Sequence, residues 1–269
     1  MESNTSNLLS QLITNLGNLI KQLAAVLNLP PACATIQKSA ENLIQSDIDK
    51  LKSIQSQTLD FTKPAIDELN TALSKLNSGD TSGALSIVTK VNTDATTLDT
   101  AISASADQIM ATKAQILSLS SQLSSNENTL NNEMVGLQSK AEDAKKQADY
   151  YTSRKYYFLA LGPLGLIGLG IAIGMITSWT KKANSFNAQV SQLEVQISTI
   201  KQLVANIDAL ISTFTKGVTL VSNIKNAVGF LQSNLQNVID DLNNANGQNA
   251  ILLVTTALHE CQSLESDAS

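Results

Sequence analysis

A long heptad pattern in the second half of the chain constrains its fold most. Apolar residues recur from Val190 to Leu242 in alternating steps of three and four, except for two successive steps of three at Val218, Val221 and Ile224. This spacing predicts one long α-helix with a continuous apolar seam and a single stammer. A helix of roughly 65 residues is on the order of 100 Å long, so it needs a long partner helix to cover its seam.

The first half of the chain supplies that partner in a less regular form. Apolar residues keep the same rhythm from Leu98 to Ala148. The breaks between helices are predicted at Pro30-Pro31, at 77–83 and at 243–249, because proline, glycine and asparagine cluster there. Pro64 predicts a kink within a helix.

Composition excludes several classes of function. The formal net charge is -5 and Arg154 is the only arginine, whereas nucleic-acid recognition depends on basic patches, so no nucleic-acid partner is expected. The sequence has one histidine, two distant cysteines and no phosphate-binding or nucleophile motif. We therefore expect neither enzymatic activity nor a metal or other cofactor.

The stretch from Tyr156 to Thr180 contains no charged residue. Tyrosine and tryptophan near its ends favour the interface between lipid headgroups and tails. Four basic residues at its borders can reach toward phosphates, and these interfacial residues are Arg154, Lys155, Lys181 and Lys182. Its length alone qualifies it as a membrane-spanning candidate.

The composition of this stretch favours a hairpin. Antiparallel packing of the two long helices would bring both of its ends together, and each arm of roughly 8 to 12 residues would reach about one leaflet. The residues expected to give the hairpin its flexibility are Gly162, Pro163, Gly165, Gly168, Gly170 and Gly174. We predict an all-α fold: an elongated bundle of four or five long helices, with a hydrophobic helical-hairpin head at one end. The head is 156–180, and the helical tail is 1–155 with 181–269.

Three other interpretations of the stretch remain open. It could be a buried core hairpin, although a bundle a few helices wide offers little interior. It could belong to a resident single-pass or hairpin membrane protein whose coiled coils act as a tether or sensor, although the basic residues on both flanks give no orientation signal. It could also serve a soluble scaffold that binds a protein partner.

The N-terminus resembles an amphipathic helix rather than a secretory signal peptide, since no basic residue precedes Lys21. With the long helices and the Gly-rich apolar hairpin, the chain resembles the alpha pore-forming toxins of the cytolysin A type. It is most similar to the small, hydrophobic-head component of the tripartite toxins of Gram-negative bacteria. The resemblance implies a component secreted without a classical signal peptide, whose apolar head inserts into target-cell membranes.

The same resemblance implies the partners. These are the lipid bilayer of the target cell, other copies of the chain that cover the head in solution, and partner toxin subunits with which a lytic pore forms. The residues expected to enter the membrane are the apolar and aromatic ones of the head: Tyr156, Tyr157, Phe158, Leu159, Leu161, Leu164, Leu166, Ile167, Leu169, Ile171, Ile173, Met175, Ile176 and Trp179.

The two cysteines lie near the two ends of the chain. If the terminal helices pack together, Cys33 and Cys261 could form a disulfide that restrains rearrangement. Two buried thiols are an equally weighted alternative. His259 and Glu260 are expected to form a solvated pair.

Overall fold

The computed structural model describes residues 8–159, 163–244 and 249–269, with the backbone alone for 155–159 and 163–170. The described residues form helices and short connections, which confirms the all-α prediction and the expected number of helices. The helices are α1 (Leu8–Ala24), α2 (Pro31–Asn77), α3 (Thr81–Leu159), α4 (Pro163–Asn243) and α5 (Ala250–Ala268).

The helix breaks lie where the sequence places them. Pro31 is the first residue of α2, a position where its missing N–H costs no helical hydrogen bond. Gly79 has a φ of 81°, which is the left-handed conformation expected after α2. Asp80 then caps α3, because its Oδ1 accepts a hydrogen bond from the Gly83 N–H at 2.9 Å. A hydrogen bond from Lys75 is the main cause that holds the pKa of Asp80 below its usual value.

The helices contribute to two compact units. The first comprises Met1–Ala25, Lys38–Leu119 and Asn206–Ser269, and the second comprises Val26–Gln37 and Ser120–Ala205. This division differs from the predicted head and tail, because 156–180 falls within the range of the second unit. The head as a separate domain stays a prediction.

In the first unit, the seam of α4 is more regular than the sequence suggests. Buried positions alternate in steps of three and four without interruption, and Gly217 rather than Val218 occupies the seam. The predicted position of the stammer is therefore wrong. Leu210 and Gly217 are buried where the sequence pattern has Ile211 and Val218, because a pattern that counts only large apolar residues passes over a glycine. Two successive steps of three between buried positions lie earlier in α4, at Ile197, Ile200 and Leu203. The buried seam positions are Ile207, Leu210, Phe214, Gly217, Val221, Ile224, Val228, Leu231, Leu235 and Val238.

Gly217 occupies the seam because α1 packs against it. A Cβ atom placed on Gly217 would lie 2.9 Å from Cδ2 of Leu12, a side chain that is itself buried. Nearer the start of α4, Asn206 donates a hydrogen bond to the backbone oxygen of Gln22 at 3.2 Å. These two contacts show that α1 and α4 run antiparallel.

A group of hydrogen bonds joins α1, α2 and the end of α5 in the same unit. The Gln55 amide donates to the Ser10 hydroxyl oxygen at 2.7 Å and to the backbone oxygen of Ala268 at 2.8 Å. The Ser10 hydroxyl in turn donates to the backbone oxygen of Ser269 at 2.5 Å. One side chain of α2 thus fixes the relative positions of the first and last helices.

A buried carboxylate lies between α2 and α3. Asp47 is fully buried, and its Oδ1 accepts a hydrogen bond from Lys50 at 2.7 Å, while its Oδ2 has no partner. Burial raises the pKa of Asp47 above its usual value, and the hydrogen bond from Lys50 offsets part of that effect.

Near the other end of the chain, Glu260 does not form the solvated pair expected with its neighbour. His259 is exposed, whereas Glu260 is partly buried and accepts a hydrogen bond from Asn234 at 2.7 Å. The correction follows from helix geometry, since adjacent residues on a helix face different directions. Burial raises the pKa of Glu260.

The close approach at Gly217 gives a stability prediction. We expect Gly217→Val to destabilise the protein by about 1–3 kcal/mol, because the added side chain meets Leu12 in a packed core. Gly229→Ala is the matched control: it lies on the same helix, has nothing within 4 Å of the new Cβ, and should be neutral or stabilising by about 1 kcal/mol. Urea unfolding measures both. Equal effects of the two substitutions would contradict the packing.

The buried Asp47 gives a pH prediction. Because its folded-state pKa is raised, the native state holds this proton more tightly than the unfolded state, whose pKa is near 3.8. The free energy of unfolding therefore decreases as the pH rises from that value through the folded-state pKa. We expect Asp47→Asn to remove this part of the pH dependence and Asp49→Asn, on the exposed side of α2, to keep it.

The measurement is the urea midpoint of each protein from about pH 4 to about pH 8. Parallel curves for Asp47→Asn and the unmodified protein would show that Asp47 does not hold its proton more tightly in the folded state.

Candidate functional site

The charge-free stretch joins two antiparallel helices of the second unit. Glu127 of α3 approaches Lys201 of α4 with 3.9 Å between Oε1 and Nζ. Toward the stretch, Leu137 packs in one cluster with Val190 and Leu193. The residues of α3 that come later in the chain therefore contact residues of α4 that come earlier, as a hairpin connection requires.

The backbone of the stretch is more helical than predicted. α3 continues to Leu159 and α4 begins at Pro163, so the two helices are separated by 160–162, which lie outside the described residues. The four glycines Gly165, Gly168, Gly170 and Gly174, which were expected to give the hairpin its flexibility, lie within α4. Proline is favoured at the first position of a helix, and this explains why α4 begins at Pro163.

Helix α4 exposes apolar side chains just after the glycine-rich segment. Ile171 is 63% exposed and Ile173 is 52% exposed, and Met175 is exposed as well. Between them Ala172 is buried, while Ile176 and Trp179 are partly buried. Helix α4 therefore exposes apolar side chains on more than one side. Ile171 and Met175, four residues apart, share one side, whereas Ile173 points to another, and the small Ala172 packs inward.

An aromatic side chain is paired with a basic one on each of the two helices that the stretch joins. On α3, the Arg154 guanidinium lies 4.6 Å from the centre of the Tyr150 ring, and the rings of Tyr150 and Tyr151 meet edge to face at 5.4 Å. On α4, the Lys182 ammonium lies 4.3 Å from the centre of the Trp179 ring. Cation–π contact holds each charge beside a ring, which is the arrangement that a membrane interface favours.

The other predicted interfacial residues are less defined. Lys181 is exposed beside Lys182, and only the backbone of Lys155 is described. Of the predicted inserting residues, Tyr156, Tyr157, Phe158 and Leu159 are placed by their backbone at the end of α3. The backbone alone also places four of them at the start of α4: Leu164, Leu166, Ile167 and Leu169. Leu161 and Gly162 lie outside the described residues.

The two helices meet through small residues next to the aromatic–basic pairs. The buried positions there are all alanines: Ala141, Ala144, Ala148, Ala172 and Ala183. The short side chains leave a hollow of about 780 Å³ lined by polar residues of both helices, among them Lys145, Asp149, Thr180 and Asn184. Further from the stretch the packing changes to the larger residues Leu137, Val190 and Leu193.

The cysteines are not bridged. Cys33 and Cys261 are both free and both buried, so the structure contains two thiols rather than the disulfide considered from the sequence. Burial raises the pKa of Cys261 to about 12, and a nearby Glu260 carboxylate adds to the effect. Each sulfur therefore behaves as a small apolar group in a protein core, and its reactive thiolate form is disfavoured.

Among the described residues, no group of histidine, cysteine or acidic side chains could hold a metal ion. No helix stretch within them is long and apolar enough to cross a bilayer.

Sequence reasoning missed the pairing of rings with charges. Tyr150 and Arg154 are four residues apart, and Trp179 and Lys182 are three apart, which are the two spacings at which helical side chains meet. The aromatic and basic residues were each recognised from the sequence, and this spacing was the signal that could have joined them.

Comparison with known proteins gives matches among solved structures. No protein-family profile matches the sequence, and no curated protein does. The chain is similar to a soluble triple head mutant of AhlC, from the tripartite alpha-pore forming toxin AHL of Aeromonas hydrophila. The TM-score is 0.83 and the identity 24%, over 97% of this chain and 98% of that one.

Two further structures have the same architecture. Soluble AhlC of the same toxin matches with a TM-score of 0.69 and 23% identity, over 97% of each chain. Soluble SmhA, from the tripartite toxin Smh of Serratia marcescens, matches with a TM-score of 0.55 and 11% identity, over 98% of this chain and 93% of that one. The chain therefore has the all-helical fold of the components of tripartite alpha pore-forming toxins.

Proposed function

We propose that this chain is a toxin component that binds target-cell membranes through the stretch 156–180 and then assembles with partner subunits into a lytic pore. The observation that carries the proposal is the exposure of three apolar side chains, Ile171, Ile173 and Met175, in a stretch that has an aromatic–basic pair on each of its two helices. The similarity of fold to AhlC and SmhA supports it. This function requires no catalysis.

The free energy of burying these exposed apolar side chains favours a lipid environment. Complete burial of one isoleucine or methionine side chain contributes about 1.5–3 kcal/mol. Three neighbouring side chains that are already exposed in water can contribute several kcal/mol when lipid covers them. The proposed inserting surface also includes the apolar residues at the end of α3 and at the start of α4, which extend it toward the hairpin tip.

The aromatic–basic pairs would set the depth of binding. Tyr150 and Trp179 suit the boundary between headgroups and acyl chains, while Arg154 and Lys182 can turn from their rings toward lipid phosphates. Lys155 and Lys181 would add charge at the same level. Each basic residue near an anionic surface contributes about 1 kcal/mol.

Before the chain reaches a membrane, another surface must shield its exposed apolar side chains from water. Exposed apolar patches promote association in water, so we propose that other copies of the chain cover the head in solution. Lipid and self-association would then compete for one surface, and membrane binding would be a shift between two populations. We further propose that the component acts outside the producing cell and depends on partner subunits for lysis.

Vesicle flotation with the detergent-free protein tests the inserting surface. We expect Ile173→Asp to reduce binding about 100-fold, because a buried aspartate costs about 2.5–3.5 kcal/mol in the acyl region. The side chain is exposed, so the folded protein should tolerate the change. Val195→Asp is the matched control, since Val195 is 62% exposed on the same helix and in the same unit.

Equal vesicle binding of the Ile173→Asp and Val195→Asp proteins would exclude the exposed apolar side chains around Ile173 as the inserting surface. A protein that is obtained only with detergent would instead indicate a resident membrane protein, the second function that the sequence left open.

Removal of the interfacial charges gives a second test. We expect the double variant Arg154→Gln, Lys182→Gln to bind anionic vesicles about 10- to 30-fold more weakly than the unmodified protein, and to lose less on neutral vesicles. Lys201→Gln with Lys216→Gln removes the same charge from elsewhere on α4 and should have little effect. If both double variants lose binding equally, the attraction depends on net charge alone.

A further inference from the structure

The first unit has an open groove between α2 and α3 that the proposed membrane contact does not use. It has a volume of about 410 Å³. Its floor is apolar, and the residues that form it are Phe61, Pro64, Ala65, Val91, Leu98 and Ala101. Phe61 and Leu98 are largely buried, so the floor of the groove is part of the packed core.

Pro64 gives the groove a polar feature as well. A proline within a helix has no N–H to donate, so the backbone oxygen of Asp60 lacks its helical hydrogen bond from position 64. Asp60 and Pro64 both line the groove. A hydrogen-bond donor that entered here would therefore find an acceptor beside the apolar floor.

The rim of the groove is acidic. Asp60, Glu68 and Asp94 lie along it, and Lys90 pairs with both Glu68 and Asp94. Asp60 is exposed and accepts a hydrogen bond only from the neutral Ser56 hydroxyl, at 3.1 Å. The rim thus keeps a net negative charge, with Asp60 as the carboxylate that no cation neutralises among the described ion pairs.

A complementary surface lies on α4 of the same unit. Phe230 is 68% exposed, and it borders a shallow hollow together with Lys225, Gly229 and Asp99. Gly229 has open space where a side chain would be, so another helix can approach closely. This surface presents an aromatic side chain beside Lys225, which forms none of the described ion pairs even though Asp99 of α3 borders the same hollow. It shares no residue with the groove.

We infer that the α2–α3 groove binds the Phe230 surface of a second copy of this chain. Phe230 fits the apolar floor, and Lys225 fits the acidic rim near Asp60. The charge complementarity favours this occupant over one without a basic residue. This inference rests on the proposed function and deepens it, because it names the surfaces through which copies assemble on the membrane.

The two surfaces differ, so the contact is heterologous. Each copy would offer its groove to one neighbour and its Phe230 to another, and such contacts generate a ring when the rotation closes. Binding to a bilayer concentrates the copies and orients them, which favours a contact that is weak in solution.

Cross-linking between two single-cysteine additions tests the contact. One protein carries Thr97→Cys at the groove and the other carries Ser233→Cys beside Phe230; the natural cysteines are buried. We expect a short bismaleimide to give a covalent dimer when both proteins are mixed on vesicles of phosphatidylcholine and phosphatidylglycerol. Each protein alone should give none, which excludes links between two like surfaces and links from random collisions on the vesicle.

Substitutions then identify the groups involved. Phe230→Ala in the Ser233→Cys protein should lower the dimer yield about tenfold, whereas Val195→Ala should leave it unchanged. Asp60→Lys and Lys225→Glu should each lower the yield, and the two together, one on each protein, should restore it. The inference would be overturned if Phe230→Ala left the dimer yield unchanged, or if the charge exchange failed to restore the yield.

The same samples distinguish this inference from the proposed function. Flotation reports membrane binding and the cross-link reports the contact between copies. If the proteins float but do not cross-link in the mixture, the groove does not bind Phe230 and the membrane function stands. If they do not float, the proposed function itself fails.

Discussion

The mutual burial of the two longest helices is the constraint on which the structure depends. A continuous apolar seam cannot remain in water, and the seam of α4 requires a partner along its whole length. In the first unit Asn92 of α3 pairs with Gln236 of α4 at 3.2 Å, and in the second Glu127 of α3 approaches Lys201. Because the two helices are antiparallel, the charge-free stretch must connect them, whatever conformation its own sequence favours.

The remaining helices of the first unit are held by fewer, more specific contacts. α1 approaches α4 where a glycine removes the side chain, and Gln55 joins α1 to the end of α5. Asp47 adds a buried carboxylate whose hydrogen-bond partner, Lys50, lies on the same helix, so its burial has a cost in stability. Apolar seams bring the helices together, and these local contacts determine which neighbour each one takes.

Much of this fold could be predicted from the sequence, because periodicity and helix breakers are local signals. The breaks at Pro31, at Gly79 and after Asn243 follow directly from residue chemistry. The seam position of Gly217 could not be predicted, since its reason is Leu12 on another helix. The ends of α3 and α4 within the apolar stretch were also missed, because glycines among apolar residues are compatible with both a bend and a helix.

For the candidate site, the sequence supplied the residues but not their arrangement. The aromatic and basic residues around 156–180 were evident, whereas the groove at Pro64 and the exposed Phe230 gave no sequence signal. A proline in a helical pattern predicts a kink, and only the position of the neighbouring helix shows that Pro64 lines a groove. An exposed phenylalanine is indistinguishable in sequence from a buried one.

The alanine layer between α3 and α4 has a consequence for how the apolar stretch can change its surroundings. Alanine has no side-chain rotamers to lose, and each alanine buries little apolar area, so separating the helices there exposes less than separating them at Leu137 or Val190. The apolar area that holds α3 and α4 together therefore decreases toward the apolar stretch, from leucine and valine to alanine. Separating the two helices costs less free energy beside the stretch than it does at Leu137.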